Sequence, residues 1–327
     1  MKAIRLLAAM ATLAAACSAH AVSNTTPPTN WRLGASDFGG AFGGVALLRF
    51  TSGSSGYVCS GSLLAGGTHV LTAAHCADDF TTMKVNFLGD MGTTYGVSHT
   101  YLHQGWTGSL SGGADIAVLK LDKQVTNLSG FELSTTNDVG KTFLMTGFGT
   151  TTTGDLGKPN WNDYPNAHWA LNSFDVTSKV MEDAIWGDGD NTYGEVYVAD
   201  FDNGLPAQNS LQYLANLTGN KWTSSLGVGF HEGLIAGGDS GGGDFVWVNG
   251  KWQLSGVHSW GWGLCRVCDV VPGTNSSFGD LMGSTAVYSH VGWINSVMAV
   301  PEPETYALLL AGLAVVGGIA RRRRLQA

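Results

Sequence analysis

The chain has 327 residues, 47 of them glycine; only 13% are charged, and the formal net charge is −8. Leaving out Lys2, Arg5, Glu304 and the arginines at 321–324, which fall in two terminal segments, the charge drops to about −13. A surface that acidic repels phosphate backbones and anionic lipid, which excludes nucleic acid as a partner.

In chain order, residues 1–21 carry Lys2 and Arg5, an apolar run at 4–16 and the small-x-small pattern Ala19-His20-Ala21. This is the pattern of a secretory signal peptide cleaved before Val22, and Cys17 leaves with it; a lipidated Cys17 is the alternative. Residues 22–44 form an N-terminal segment, first rich in Thr and Pro, then in Gly. From Val45-Ala46-Leu47-Leu48 onward, short apolar runs alternate with glycine turns and no helical period is sustained, which predicts an all-β protein. Length allows two barrel-sized halves, placed at 45–140 and 141–298. Between Thr150 and Ser224 an acidic run (Glu182, Asp183, Asp188, Asp190, Glu195, Asp200, Asp202) reads as solvated loops; Asp188-Gly189-Asp190 lacks the spacing of a twelve-residue calcium loop.

Four cysteines remain after residue 21, an even number suited to an oxidising compartment. Cys265-Arg266-Val267-Cys268 reads as a local disulfide, a redox pair or half a zinc site, and no second pair or histidine cluster completes a metal set. Past Pro303, an apolar stretch at 305–320 precedes the arginines at 321–324. Sixteen apolar residues are short for a transmembrane helix, yet the arginines would hold such a helix at its cytoplasmic end. With Val300-Pro301-Glu302-Pro303 in front, the segment 300–324 resembles the PEP-CTERM sorting signal. That resemblance implies the envelope or exterior of a Gram-negative bacterium, an exosortase-like partner and a transient stay in the membrane; a plain single-span anchor is the alternative.

The chemistry centres on Ala236-Gly237-Gly238-Asp239-Ser240-Gly241-Gly242. A serine hydroxyl is a weak nucleophile, and it needs a base in hydrogen-bond reach and a third group to orient that base. His75, in Leu71-Thr72-Ala73-Ala74-His75-Cys76, and Asp115, opening Ala114-Asp115-Ile116-Ala117-Val118-Leu119, supply candidates. Each could instead be an ordinary core histidine, strand-edge acid or turn serine. His69, His99, His103, His168 and His231 have no partner motif and read as structural or surface residues.

These segments, in the order His75, Asp115, Ser240, resemble the trypsin/chymotrypsin-like serine endopeptidases. Cys59-Ser60-Gly61-Ser62-Leu63-Leu64, Thr146-Gly147-Phe148-Gly149-Thr150, Ser259-Trp260-Gly261 and Val291-Gly292-Trp293-Ile294 extend the resemblance over most of 45–297. It implies two antiparallel six-stranded β-barrels with the active site in the cleft between them. It also implies a Cys59–Cys76 disulfide, which leaves Cys265 and Cys268 to each other, and an oxyanion hole of the Gly238 and Ser240 N–H groups. Ser259 would stand behind Asp115, with the 259–261 backbone pairing to a peptide or protein substrate. No cofactor or metal is implied.

Leu234 stands where Lys- and Arg-cleaving members carry an acid, which argues against a cationic substrate side chain. With Ile235 and Gly261 it suits a large apolar one, whereas His258 occupies the pocket-wall position of glutamate-specific members. Trp260 completes the substrate-binding set. Two departures stand out: Gly243 replaces the usual proline, and no Ile-Val-Gly-Gly appears near 33–41, where only Arg32-Leu33-Gly34 offers an activation bond. The expected function is a secreted serine endopeptidase; the alternatives are an inactive protease homologue serving as an envelope binding module, and an esterase, for which the Gly-x-Ser-x-Gly elbow is missing.

Overall fold

The computed structural model describes residues 22–187 and 192–299. The signal-peptide reading of 1–21, Asp188, Asp190 and the sorting segment 300–324 lie outside the described residues. The chain divides after Ser289; helix α3 (Val291–Met298) belongs to the second unit.

Strands β1 (Val45–Ser52), β2 (Ser55–Leu63), β3 (His69–Thr72), β4 (Thr82–Phe87), β5 (Asp90–Leu102) and β6 (Ala117–Leu121) close into a barrel of order β1-β2-β3-β6-β5-β4. Every pairing is antiparallel. The apolar runs Val45–Leu48 and Ala117–Leu119 are wholly buried, each Val or Leu side chain among them contributing roughly 1.5–3 kcal/mol.

The second half carries six long strands, β7 (Thr142–Gly147), β8 (Ala167–Ser173), β9 (Val196–Asp200), β10 (Gly243–Val248), β11 (Lys251–Trp262) and β12 (Leu281–Ala286). They run in the order β9-β12-β11-β10-β7-β8, extended to a nine-stranded sheet by the pairs Val176–Thr177 and Arg32–Leu33 at the ends and Glu132–Leu133 beside β11. No β8–β9 backbone ladder forms among the described residues; the Asn172 amide instead donates to Asp200 O at 2.7 Å and Gly233 O at 2.9 Å. A separate three-stranded sheet sets Ser23–Asn24 between Thr152–Thr153 and Gly233–Leu234.

Phe143, Phe174 and Tyr197 stack at 4.0 and 4.2 Å inside the second half. Helices α1 (Ser178–Ile185) and α2 (Ser210–Leu217) cover the outer face of β9, with Met181, Leu211 and Leu214 packed around Val198. Asn209 caps α2 by accepting the Gln212 N–H. Burial on both faces corrects the solvated-loop reading of two acids: Asp200, in β9, and Asp202, just after it, are 2% and 0% exposed. Among the described residues no helix is long and apolar enough to cross a membrane.

Candidate active site

Fully buried β3 delivers Ala73 and Ala74 into the core and ends in a tight 3-10 turn, Ala74–Cys76, which presents His75. The Cys59–Cys76 disulfide, with Cα atoms 6.2 Å apart, ties this turn to β2. Asp115 lies just before β6 and is completely buried. Its Oδ1 accepts the His75 backbone N–H at 2.9 Å, and its Oδ2 faces His75 Nδ1 at 2.8 Å. Ser259 Oγ donates to the same Oδ2 at 2.5 Å, and Thr285 Oγ1 donates to the Asp115 carbonyl at 3.1 Å. The carboxylate thus fixes both ring plane and tautomer: Nδ1 carries the proton, leaving Nε2 as the acceptor. Burial disfavours the imidazolium, but the charges of Asp115 and Asp78 outweigh it and hold the His75 pKa above its ordinary value.

Ser240 is half-buried in a turn whose internal bonds use the N–H groups of Asp239 (to Ala236 O), Gly241 (to His258 O) and Gly242 (to Asp239 O). Among the described residues, neither the Gly238 nor the Ser240 N–H appears in this network, so both remain for a ligand oxygen. Ser60 Oγ holds the Gly238 carbonyl at 2.8 Å while accepting the Phe148 N–H, and the Ser60 N–H donates to Ser240 O. Gly238 has φ +93°, and a Cβ there would come within 2.6 Å of Gly149 Cα, so both conformation and space demand glycine. Neither Ser60 nor Thr285 had been assigned a role by sequence; a hydroxyl that supports a backbone turn leaves no spacing signal.

Asp239 is wholly buried, with Oδ2 accepting the Ala236 N–H and Oδ1 the Gly149 N–H. Burial pushes its pKa up to about 7, partly offset by the charge of His258.

The predicted substrate-binding residues divide. Gly261 is exposed and Trp260 half-buried, the latter packed against the cluster around Val198 and Leu214. Leu234 and Ile235 lie in the apolar cluster with Val22, Met145 and Met282. His258 corrects the glutamate-specific reading: the ring is 0% exposed, Nε2 bonds Asp244 at 2.8 Å and Nδ1 faces the Asp239 carbonyl at 3.1 Å, so no ring nitrogen is left for a substrate carboxylate. The period-2 pattern of a strand assigns a face, and His258 falls on the inner one, where Asp244 from β10 meets it. Trp262, next to Gly261, stacks on Trp186 at 5.6 Å.

Cys265 and Cys268 form the second disulfide, Cα atoms 5.3 Å apart. Among the described residues only Cys59, His75 and Cys76 cluster tightly enough for a metal ion, and both sulfurs are already bonded to each other.

The Trypsin family matches residues 35–178, which include His75 and Asp115, and the PEP-CTERM protein-sorting motif matches 299–324. The chain is similar to chymotrypsin-like elastase family member 1 of Macaca fascicularis (26% identity, 77% of this chain, 83% of the relative). The same protein of Homo sapiens is 27% identical over 77% of this chain and 86% of its own length. Among solved structures, HL collagenase superposes with TM-score 0.54 at 17% identity, covering 80% of this chain and 95% of its own. Neuropsin, a serine protease expressed in the limbic system of mouse brain, gives 0.52 at 20%, covering 84% and 98%. Fold, family match and these relatives together support a trypsin/chymotrypsin-like serine protease with a C-terminal PEP-CTERM protein-sorting motif.

Proposed function

We infer that the protein is a secreted serine endopeptidase in which Ser240 is the nucleophile, His75 the general base and Asp115 the residue that orients it. The observation that carries this reading is the Asp115 carboxylate, fully buried yet held by the His75 N–H and Ser259 Oγ while facing His75 Nδ1. Ser240 Oγ attacks the scissile carbonyl as His75 Nε2 takes its proton, and the oxyanion accepts from the Gly238 and Ser240 N–H groups. Collapse passes the proton from His75 to the leaving amine and leaves an acyl-serine. Water, deprotonated by the same nitrogen, then releases the acid.

The primary pocket takes an apolar side chain. Leu234 puts no acid beneath a cationic side chain, and His258, committed to Asp244, offers no partner to a carboxylate. The C-terminal motif supports export to the envelope of a Gram-negative bacterium and processing there by an exosortase-like enzyme.

The test is covalent labelling. The purified enzyme should react with a fluorophosphonate and cleave a peptide library after Phe, Leu or Tyr, while Ser240→Ala does neither yet keeps its melting temperature. Unchanged hydrolysis by Ser240→Ala refutes the assignment; cleavage after Lys, Arg or Glu refutes the apolar pocket.

A further inference from the structure

His258 is a buried titratable group that the triad does not use. Its ring lies between two oxygens that can only accept: the Asp244 carboxylate, 2.8 Å from Nε2, and the Asp239 carbonyl, 3.1 Å from Nδ1. A neutral imidazole brings one hydrogen and would leave a nitrogen lone pair facing an oxygen lone pair, at a residue that is 0% exposed. Satisfying both contacts takes two ring hydrogens, that is, an imidazolium paired with the Asp244 carboxylate. Among the described residues the charged groups around the ring are Asp244, from β10, and Asp239, from the nucleophile turn; β12 sets Ser284 in register with His258 and adds no charge. Burial alone would lower the His258 pKa, but the charge of Asp244, with that of Asp239 behind it, raises it above its ordinary value.

The Asp239 carbonyl belongs to the same peptide unit as the Ser240 N–H. That unit is planar and trans, so carbonyl and N–H point in opposite directions, and whatever fixes one aims the other. Asp239 O is fixed twice, by the Gly242 N–H at 2.7 Å and by His258 Nδ1. The His258 backbone accepts the Gly241 N–H at 2.8 Å and donates its own N–H to Gly242 O at 2.9 Å, so one residue of β11 grips the turn on both sides of Ser240.

We propose that His258 is a positioning residue for the oxyanion: held as an imidazolium by Asp244, it locks the Asp239–Ser240 peptide so that the Ser240 N–H is directed at the substrate oxygen. A charged donor makes a bond roughly twice as strong as a neutral one. A carbonyl drawn by two donors also polarises its peptide, which makes the Ser240 N–H the better donor. When His258 loses a proton, Asp244 keeps the hydrogen on Nε2 and the bare Nδ1 faces the Asp239 carbonyl, so the lock opens as pH rises through the His258 pKa. His258 thereby sets an alkaline limit on kcat, separate from the acid limit that His75 sets. The inference rests on the protease reading above.

Spectra and kinetics decide it together. In nitrogen-15 spectra at pH 7, taken on Ser240→Ala to prevent self-digestion, the His258 ring, assigned through its backbone, should carry hydrogens on both nitrogens. A ring with one hydrogen overturns the proposal. On a short peptide ester, His258→Gln reaches toward Asp244 and leaves Asp239 O without its ring donor. It should lose ~10- to 10²-fold in kcat with KM little changed, short of the ~10²–10³ lost with an entire oxyanion donor. Asp244→Asn lets the ring be neutral, since Asp239 O keeps the hydrogen on Nδ1 and the Asn amide turns to donate to Nε2. The wild-type kcat should fall at alkaline pH in step with the loss of the second ring hydrogen, and Asp244→Asn should move that fall. An unmoved alkaline limb in Asp244→Asn, or an unchanged kcat in His258→Gln, overturns the proposal. Should His258→Gln fail to fold, the spectra and Asp244→Asn carry the decision. A folded wild type that neither cleaves the ester nor takes up a fluorophosphonate overturns the protease reading and the role with it, and two ring hydrogens in the spectra mark that failure as the reading's own.

Discussion

Glu232→Gln should make the protein markedly less sensitive to alkaline unfolding. Glu232 lies directly before the Gly233–Leu234 strand, wholly buried, with Oε1 accepting the Asp202 N–H at 2.8 Å and Oε2 without a partner among the described residues. Asp202 is buried beside it, its carboxylate bonded to the Gly204 N–H and the Asn209 amide. Burial, reinforced by the Asp202 charge, pushes the Glu232 pKa from 4.5 up to about 8, while burial pushes Asp202 to about 6. Both shifts are upward, so the folded state binds the proton more tightly than the unfolded chain. Stability is therefore greatest at acid pH and falls as pH rises between the two pKa values. One proton retained across that window is worth at most about 5 kcal/mol at 1.36 kcal/mol per pH unit. The pair shares that proton, so the two shifts are not summed. Against a total stability of ~5–15 kcal/mol the term is large. Urea unfolding at pH 5 and pH 8, on a Ser240→Ala background to prevent self-digestion, isolates it. The parent should lose a few kcal/mol more than Glu232→Gln over this range, and equal slopes for the two proteins would refute the reasoning.

Asp78→Asn should move the acid limb of kcat/KM to lower pH, because a ring that acts as general base must be neutral and Asp78 helps raise the His75 pKa; an unmoved limb in the pH profile counts against that coupling. Gly238→Ala should lower kcat by ~10²-fold or more with little change in KM for a short ester, given the φ of +93° and the 2.6 Å approach to Gly149; steady-state kinetics decide, and a wild-type kcat contradicts the turn geometry. Deleting residues 300–327 should leave peptidase activity intact and change where the protein accumulates, read by cell fractionation; identical distribution of both forms removes the sorting role.

The candidate trio could be picked out because each member sits in a short local pattern: a buried strand leading into the turn that holds His75, an acid just before β6, and a glycine-rich turn around Ser240. The first barrel was legible for the same reason, as Val45–Leu48 and Ala117–Leu119 read directly as buried strands. What escaped depended on partners distant in the chain. His258 could be assigned to a strand but not committed to Asp244, fourteen residues earlier and on the neighbouring strand. Asp200 and Asp202 were counted with the acidic run, although Val196-Tyr197-Val198-Ala199 immediately before them is an apolar strand signal; the average composition hid a strand that α1 and α2 cover. The burial of Val22–Asn24 was hidden too, because three residues followed by a Thr- and Pro-rich run carry no periodicity.

Asn172 gives the second half of the molecule a seam rather than a weld. Where backbone ladders bind the other neighbouring strands, among the described residues β8 and β9 are bridged by a side-chain amide, and the same nitrogen also grips the carbonyl of Gly233. A ladder yields bond by bond, whereas a single anchor either holds or releases, at a net worth of only ~0.5–1.5 kcal/mol per bond. Release there would loosen the β8–β9 junction, while the segment that leads to Ser240 stays paired with Ser23–Asn24 and bridged to Leu171. One amide thus ties the β8–β9 junction directly to the segment that runs toward Ser240.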